Sequence, residues 1–577
     1  MRLKYIINSA NIAALFNIML VIIISFFFIK CAMQRFPSGG PADKTPPEIM
    51  SVYPRSDSTH IGIYLDKIKI VFSERMNEGT LPNSLFISPL LKYDLKWSGS
   101  KELTVTITDT LKKDQTYVIT IGSAAQDEHN NKLKQSFQSA FSTGSKIDRG
   151  SISGRVYGLK RNESVNIFAY TLTDTSYIDI QNRKPDYISQ SGTKGEYKFS
   201  FLKAGLYRIF AVQDQNNNLI IDQNFEMFGV PYRDVFIDSS QIHFSGLGFQ
   251  LSKSDTTRPL VIGAKSLNEH IIRVRLNKAV NTPDIEQITI VDSLKNKSLP
   301  LFGVSRSREE NFFLELYTET LDRESFYKVT IHSLKDSIGN ETNIPQTTRS
   351  FPGSLKKDTV SLKLLKFAPL DSAKGVYPKS AIHFEFSRPM DLVSISNAFI
   401  LEMKNGKKTE GTWRSKNLYQ ADFVPVNQLT ADSFYVARLS LNKIRDIWGT
   451  FAGDSIIEHS FKTIALRELG EISGRVYLNQ PVSPIFIKFK SLNKRNNFYI
   501  LKIDSAGKFY KPLLPGGKYL IDAFLDIDKN GAYSYGTLDP FSYAEPFVFL
   551  NDTISVRNRW ETSDVKIEIP FGQGAHE

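Results

Sequence analysis

Polar and apolar residues alternate in short runs along most of this 577-residue chain. In Lys67-Ile68-Lys69-Ile70-Val71-Phe72 the period is two, so Ile68, Ile70 and Phe72 share one buried face of a strand, and Ser73-Glu74-Arg75-Met76-Asn77 follows at once. The pattern recurs with Ile272, Val274 and Leu276 before Asn277-Lys278-Ala279-Val280, and with Ile382, Phe384 and Phe386 before Ser387-Arg388-Pro389-Met390. Further on, a Leu stands six residues before a strand Tyr: Leu111 with Tyr117, Leu321 with Tyr327, Leu429 with Tyr435. An Asp then leads into a turn, at Asp127, Asp336 and Asp446. Short alternating strands at this spacing, bounded by turn residues, predict β-sandwiches of ~100 residues.

A second kind of module frames part of the chain. Ile-Ser-Gly-Arg-Val-Tyr stands at Ile152–Tyr157 and again at Ile472–Tyr477. Downstream, Gly195, Tyr197, Leu202, Gly205, Tyr207, Ile209, Ala211 and Asp214 fall on Gly507, Phe509, Leu514, Gly517, Tyr519, Ile521, Ala523 and Asp526, an offset of 312 residues. Self-similarity of this kind marks two copies of one unit. Beyond residues 12–29 no stretch carries sustained helical periodicity, so the expected fold class is all-β, a series of sandwiches.

The Thr-Pro-Pro lead-in, the phenylalanine strand running into Ser-x-x-Met, the Leu-x5-Tyr strand and the Asp turn resemble the bacterial Ig-like domain of S-layer-protein type. The resemblance covers 47–146, 257–354 (weakly, with Leu276 and Val280 for Phe and Met) and 358–465. It implies spacer or adhesion modules without catalytic residues. Segments 150–252 and 469–570 resemble the carboxypeptidase-regulatory or prealbumin-like β-sandwich. The expected order is therefore signal or anchor (1–30), tether (31–46), Ig-like, prealbumin-like, Ig-like, Ig-like, prealbumin-like.

The address lies at the N-terminus. Arg2 and Lys4 precede 18 uncharged residues, Ile12–Ile29, at the boundary between a long signal-peptide core and a membrane span. Cys31, the only cysteine, follows at once, so no disulfide can form within the chain. A lone cysteine closing an apolar signal resembles the acylated cysteine of bacterial lipoproteins, although Lys30 and Phe28 stand where that signal wants a small residue and Leu. An uncleaved signal anchor is the other reading. Both attach the chain to a membrane and place the rest outside the cytoplasm, facing the periplasm or the cell surface. The net charge of +12 is scattered, which predicts a solvated basic surface and no nucleic-acid partner.

Chemistry is sparse. The eight His are dispersed, with no metal-binding His pair, no nucleophile elbow and no phosphate loop, so no catalytic residue is assigned. Both framing modules carry an acidic loop. Asp526-Ile527-Asp528-Lys529-Asn530-Gly531 places oxygen ligands at positions one, three and five and Gly at six of a calcium loop. Thr537 stands where the bidentate Glu belongs, so Asp539 or Glu545 would have to substitute. The earlier copy offers Asp214, Asn216, Asn218 and Asp222, with Glu226 one step late. Side chains that cap their own turn explain the same letters without an ion. Tyr533, Tyr535, Phe541 and Tyr543 are candidate contacts for a protein or glycan partner, or simply pack their own loop.

The expectation is a non-enzymatic envelope protein, a tethered rod of ~150–200 Å built from compact domains a few nanometres long. An envelope hydrolase or inhibitor with a site between modules, and a purely structural component, are the alternatives. A deep cleft with converging carboxylates would favour the hydrolase.

Overall fold

The computed structural model describes residues 43–570 except 161–162, 174–177, 181, 256, 309, 344–346, 479–483, 494–496 and 551. Cys31, the signal or anchor segment and most of the tether lie outside the described residues. Among those described, no helix is long and apolar enough to cross a membrane. The described residues are built almost wholly from strands in small, mostly antiparallel sheets, and among them stands one α-helix of seven residues, Leu392–Ala398, capped by Asp391.

The three Ig-like segments share one plan. In each, a four-stranded sheet keeps the same strand order: Ile49–Tyr53, Lys67–Phe72, Glu102–Ile107, Tyr93–Ser98 in the first; Val261–Ser266, Ile271–Leu276, Phe313–Thr318, Leu301–Arg306 in the second; Leu364–Ala368, Ile382–Phe386, Gln420–Pro425, Gly411–Asn417 in the third. A second sheet covers it, and the alternating apolar residues meet between the two. Ile68, Ile70, Phe72, Ile272, Val274, Ile382, Phe384 and Phe386 are all fully buried. Met76 and Met390 join the same cores.

The spaced Leu and Tyr have a structural cause. Each Tyr hydroxyl accepts the N–H of the residue after the Leu: Lys112 to Tyr117 and Asp322 to Tyr327 at 2.7 Å, Thr430 to Tyr435 at 2.8 Å. The bond closes a corner between the sheets, while the ring stacks on Phe141, Phe351 or Phe461. The turn Asp also repeats its work. Asp127, Asp336 and Asp446 each accept two or three backbone N–H groups of the turn that follows.

In the framing modules the repeated hexapeptide forms the centre of a three-stranded sheet, Glu196–Leu202, Gly150–Tyr157, His243–Gln250, and again Gly507–Pro515, Leu469–Tyr477, Glu561–Glu568. The last pair in each is parallel. Its glycine is required by close approach: a Cβ on Gly154 would lie 1.9 Å from the Leu247 carbonyl oxygen, and one on Gly474 2.0 Å from that of Val565. Tyr207 and Tyr519 give their hydroxyls to the carbonyls of Lys203 and Pro515 at 2.6 and 2.7 Å, the same corner at the same offset.

The modules do not follow one another as a simple rod. The Ig-like sheet of residues 116–142 packs against the first framing module, where Val118 and Ala140 enter its core and Ser123 and Ala124 bond to Ser191 and Gln190. The second and third Ig-like modules meet through Tyr317–Tyr419 (2.8 Å between hydroxyls) and Trp448, whose indole N–H donates to the Thr318 carbonyl at 3.0 Å. Tyr377 and Tyr499 meet edge to face, ring centres 5.2 Å apart, between the last Ig-like module and the last framing module. The last framing module then returns to the first. The chain forms a circuit, and the expected linear spacer is corrected on that point.

Candidate functional site

The seam between the two framing modules gathers most of the residues singled out from the sequence. It starts from an unusual sheet. Strands Asn166–Leu172 and Gly205–Val212 are buried almost without interruption, whereas Ile485–Ser491 of the other copy alternates. A strand buried on both faces needs a neighbour on each. On the outer face of the first module, Phe168, Tyr170, Phe210, Phe228 and Val230 cluster with Phe86 of the first Ig-like module and with Leu538 and Ala544 of the last framing module.

Arg208 is the polar centre of this seam. It is 3% exposed and pairs with both oxygens of Asp234 at 2.8 and 2.7 Å. Its guanidinium lies 4.0 Å from the centre of the Phe541 ring and donates to the Tyr543 hydroxyl at 3.2 Å, which itself donates to Asp234 at 2.8 Å. A buried arginine is tolerable because carboxylate, hydroxyl and ring face together replace its water. The Ala544 N–H adds a bond to the Pro231 carbonyl at 3.0 Å. Thus Phe541 and Tyr543, candidate contacts for an external partner, contact another module of the same chain. Tyr533 packs among Phe524, Tyr535 and Phe547, and Tyr535 is 42% exposed.

Beside the seam opens a cleft of about 890 Å³. Tyr157 from one module and Phe486, Tyr533 and Tyr535 from the other supply aromatic walls; among the described residues of its lining Arg155, Lys488 and Lys490 are the cations and Asp522 is the only acid. Burial pushes the Asp522 carboxyl up, against the pull of Lys488 and Lys490. Among the described residues of this lining no second carboxylate stands beside Asp522, whereas the hydrolase alternative calls for a converging pair.

The acidic loops are alike in backbone and unlike in charge. Positions four and six are left-handed in both, at Asn217 and Leu219 and at Lys529 and Gly531, so a loop that normally asks for glycine tolerates Leu219 in the first copy. In that copy Asp214 receives the N–H groups of Asn218 and Leu219, and Glu226 those of Gln215 and Asp222. Asn216 and Asn218 cap the turn themselves. Glu226, which accepts the Asp222 backbone N–H at 3.1 Å, closes the loop from one step beyond the expected position. In the last module Glu545 does the same work, accepting from Ile527 at 2.6 Å and Ser534 at 2.9 Å, and Asp539 plays no part in the cluster. Oxygens of Asp526, Asp528 and Glu545 lie within 4.8 Å of one another. Burial raises Glu545, while the Ser534 hydroxyl holds Asp528 below the usual carboxylate range. Asn530 accepts from Ala532 and donates to Asp528.

A third cluster escaped the sequence reading. In the second and third Ig-like modules a cation joins the turn Asp to an Asp of the preceding linker. Lys278 touches Asp336 and Asp255 at 2.5 Å each; Arg388 touches Asp446 at 2.7 Å and Asp358 at 2.6 Å. In the first module the same position holds Glu74, which faces Asp43, Asp127 and His129. Burial, Asp127 and Asp43 all push the Glu74 carboxyl up. The signal was available, in the second letter of Ser-Glu-Arg-Met against Ser-Arg-Pro-Met, but only the fold shows what that residue faces.

Comparison with known proteins agrees with the Ig-like plan. The family model of the bacterial Ig-like domain matches residues 43–143 and 358–463. Among solved structures, the N-terminal part of the bacterial S-layer protein SbsC is similar at 15% identity over 36% of this chain and 44% of that one, with a TM-score of 0.16. Domains 1–6 of surface layer protein SbsC are similar at 10% identity over 90% and 68% of the two chains, TM-score 0.15. An L,D-transpeptidase from Mycobacterium smegmatis is similar at 12% identity over 26% and 76%, TM-score 0.16. The chain thus spans less than half of the first of these, and nothing about function follows from likenesses of this size. No curated protein matches the sequence.

Proposed function

We propose that this chain is a non-catalytic, membrane-tethered envelope scaffold whose two framing modules hold an anionic glycan in the cleft between them. The observation that carries the reading is the cleft itself: aromatic walls from both modules, with three cations, Arg155, Lys488 and Lys490, against one acid, Asp522. Aromatic faces suit the apolar faces of sugar rings, and lysines spaced two residues apart on one strand suit the repeated carboxylates or phosphates of an acidic polymer. The Ig-like modules, closed by their tyrosine corners, act as spacers. A tether at Cys31, acylated or as the end of an anchor, would bring the cleft to the envelope polymers it binds.

Calorimetry with a uronic-acid oligosaccharide and a neutral one of equal length tests this. Binding of the acidic ligand alone, weakened by salt and by Lys488→Glu with Lys490→Glu, is the expected outcome. Absence of heat with the acidic ligand, or binding indifferent to the double charge reversal, would remove the glycan from the reading. The mass of the mature N-terminus from membranes tests the tether: a diacyl or triacyl adduct on Cys31 marks a lipoprotein, an intact Met1 an anchor, and a free Cys31 in a soluble fraction neither.

A further inference from the structure

We infer that the loop Asp526–Gly531, closed by Glu545, is a calcium site that sets the docking of the last framing module on the first. Asp526 is 1% exposed, and its Oδ1 has no hydrogen-bond donor. Its other oxygen accepts the Gly531 N–H at 3.1 Å. A carboxylate oxygen buried without a partner is costly, and the groups facing it are further carboxylates. Among the described residues no lysine or arginine forms an ion pair with Asp526, Asp528 or Glu545. A cation is what such a pocket lacks.

The donor set selects the ion. The three gathered side chains are all hard oxygen donors, which favours calcium or magnesium over zinc or copper. Two oxygens bound to one calcium at ~2.3–2.6 Å are at most about 5 Å apart, and the three oxygens here lie within 4.8 Å. The carboxylates sit on a turn and on a residue 15 positions beyond Asn530, a flexible arrangement that suits calcium better than the rigid octahedron of magnesium. The first copy is the internal control. There Asn216 replaces Asp528, both oxygens of Asp214 accept backbone N–H groups, and no comparable carboxylate group forms among the described residues. The cluster around Asp127 differs in the same way, because both oxygens of Asp127 have donors in Asn131 and His129.

The consequence follows from where the closing ligand stands. Between Asn530 and Glu545 lies the hairpin Thr537–Leu538 with Phe541–Ser542, carrying Phe541 and Tyr543, which hold Arg208 of the first module. An ion bound to Asp526, Asp528 and Glu545 ties the two ends of that segment together and orders the side chains of the seam. The loop and the seam are then one thermodynamic unit, so calcium affinity and module docking are linked.

Titration of the full chain with calcium chloride tests this, in a background with Asp43→Asn and Glu74→Gln that leaves Asp127 as the one carboxylate of the other acidic group. Calcium should bind in the range of extracellular modules, ~0.1–1 mM. Asp526→Asn and Asp528→Asn should each weaken it at least about tenfold, and Asp214→Asn should leave it unchanged. Fluorophores on the two framing modules should report closer approach with calcium than with EDTA, and less so in both variants. Asp528→Asn alters an exposed carboxylate and decides the matter should Asp526→Asn fail to fold. No binding at several millimolar calcium, an isotherm unchanged by Asp528→Asn, or docking equal in calcium and EDTA overturns the proposal.

Discussion

Removing the Phe541 ring and the Tyr543 hydroxyl should release the last framing module from the first without unfolding either. Phe541 is half-buried against Phe210 and lies 4.0 Å from the Arg208 guanidinium. Truncating a fully buried Phe costs about 3–5 kcal/mol, so half of that, about 2 kcal/mol, is the expectation for Phe541→Ala. The Tyr543 hydroxyl makes two hydrogen bonds with charged partners, to Asp234 at 2.8 Å and from Arg208 at 3.2 Å. Because Tyr543 is 41% exposed, water recovers part of both, and Tyr543→Phe should cost about 1–2 kcal/mol. The two share Arg208, so their sum of about 3–4 kcal/mol is an upper value, equivalent to ~100–1000-fold in the docking equilibrium. With Cys31 replaced, the chain has no cysteine, and Lys203→Cys with Lys518→Cys gives one dye on each framing module. Energy transfer should fall in the double variant, and protease sensitivity of the 253–260 linker should rise. Equal transfer in parent and variant, with both modules melting as before, would refute the view that this contact closes the circuit.

Other consequences are as direct. Glu74→Lys places an ammonium where Lys278 stands in the second Ig-like module; with Asp43 partly exposed, the gain should be about 1 kcal/mol, read as a rise of about 5 °C in the melting of the first module. Arg388→Met leaves Asp446 and Asp358, both nearly fully buried, without their cation and should cost the third Ig-like module about 3–5 kcal/mol, measured by urea unfolding. Gly154→Ala and Gly474→Ala, whose Cβ atoms would collide with facing carbonyls, should each abolish cooperative unfolding of one framing module and spare the other. Burial, and then Lys379, hold the Lys511 ammonium below its ordinary value. The folded state therefore binds fewer protons than the unfolded one between the lowered value and ~10.4, and stability rises with pH across that window. Lys511→Met should stabilise at neutral pH, and its advantage should shrink as pH climbs toward 10; an advantage constant with pH would contradict the assignment.

The Ig-like plan and the doubled framing module were legible because local periodicity and local hydrogen bonds produce them. Alternation puts Ile68, Ile70 and Phe72 on one face; a hydroxyl that reaches back five residues fixes the Leu-to-Tyr spacing; an Asp that caps two or three N–H groups fixes the turn. Parts of the seam were legible in principle too. Ile167-Phe168-Ala169-Tyr170 and Ile209-Phe210-Ala211-Val212 are unbroken apolar runs where Phe486, Lys488 and Lys490 alternate with Ile485, Ile487 and Phe489 in the other copy. Such a run says that both faces are covered. It does not say by what.

The sequence by itself determined which strands form, which side chains enter each sandwich and where the acidic loops lie, because those depend on residues a few positions apart. Only the tertiary structure decided that the last module returns to the first, that Arg208 meets Phe541 and Tyr543 across more than 300 residues, that Glu545 and not Asp539 closes the loop, and that Glu74 faces a pair of acids where its counterparts Lys278 and Arg388 meet theirs with a cation. Those contacts arise from how whole modules pack. Packing is set by the shape and burial of surfaces assembled from distant segments, and no local pattern encodes it.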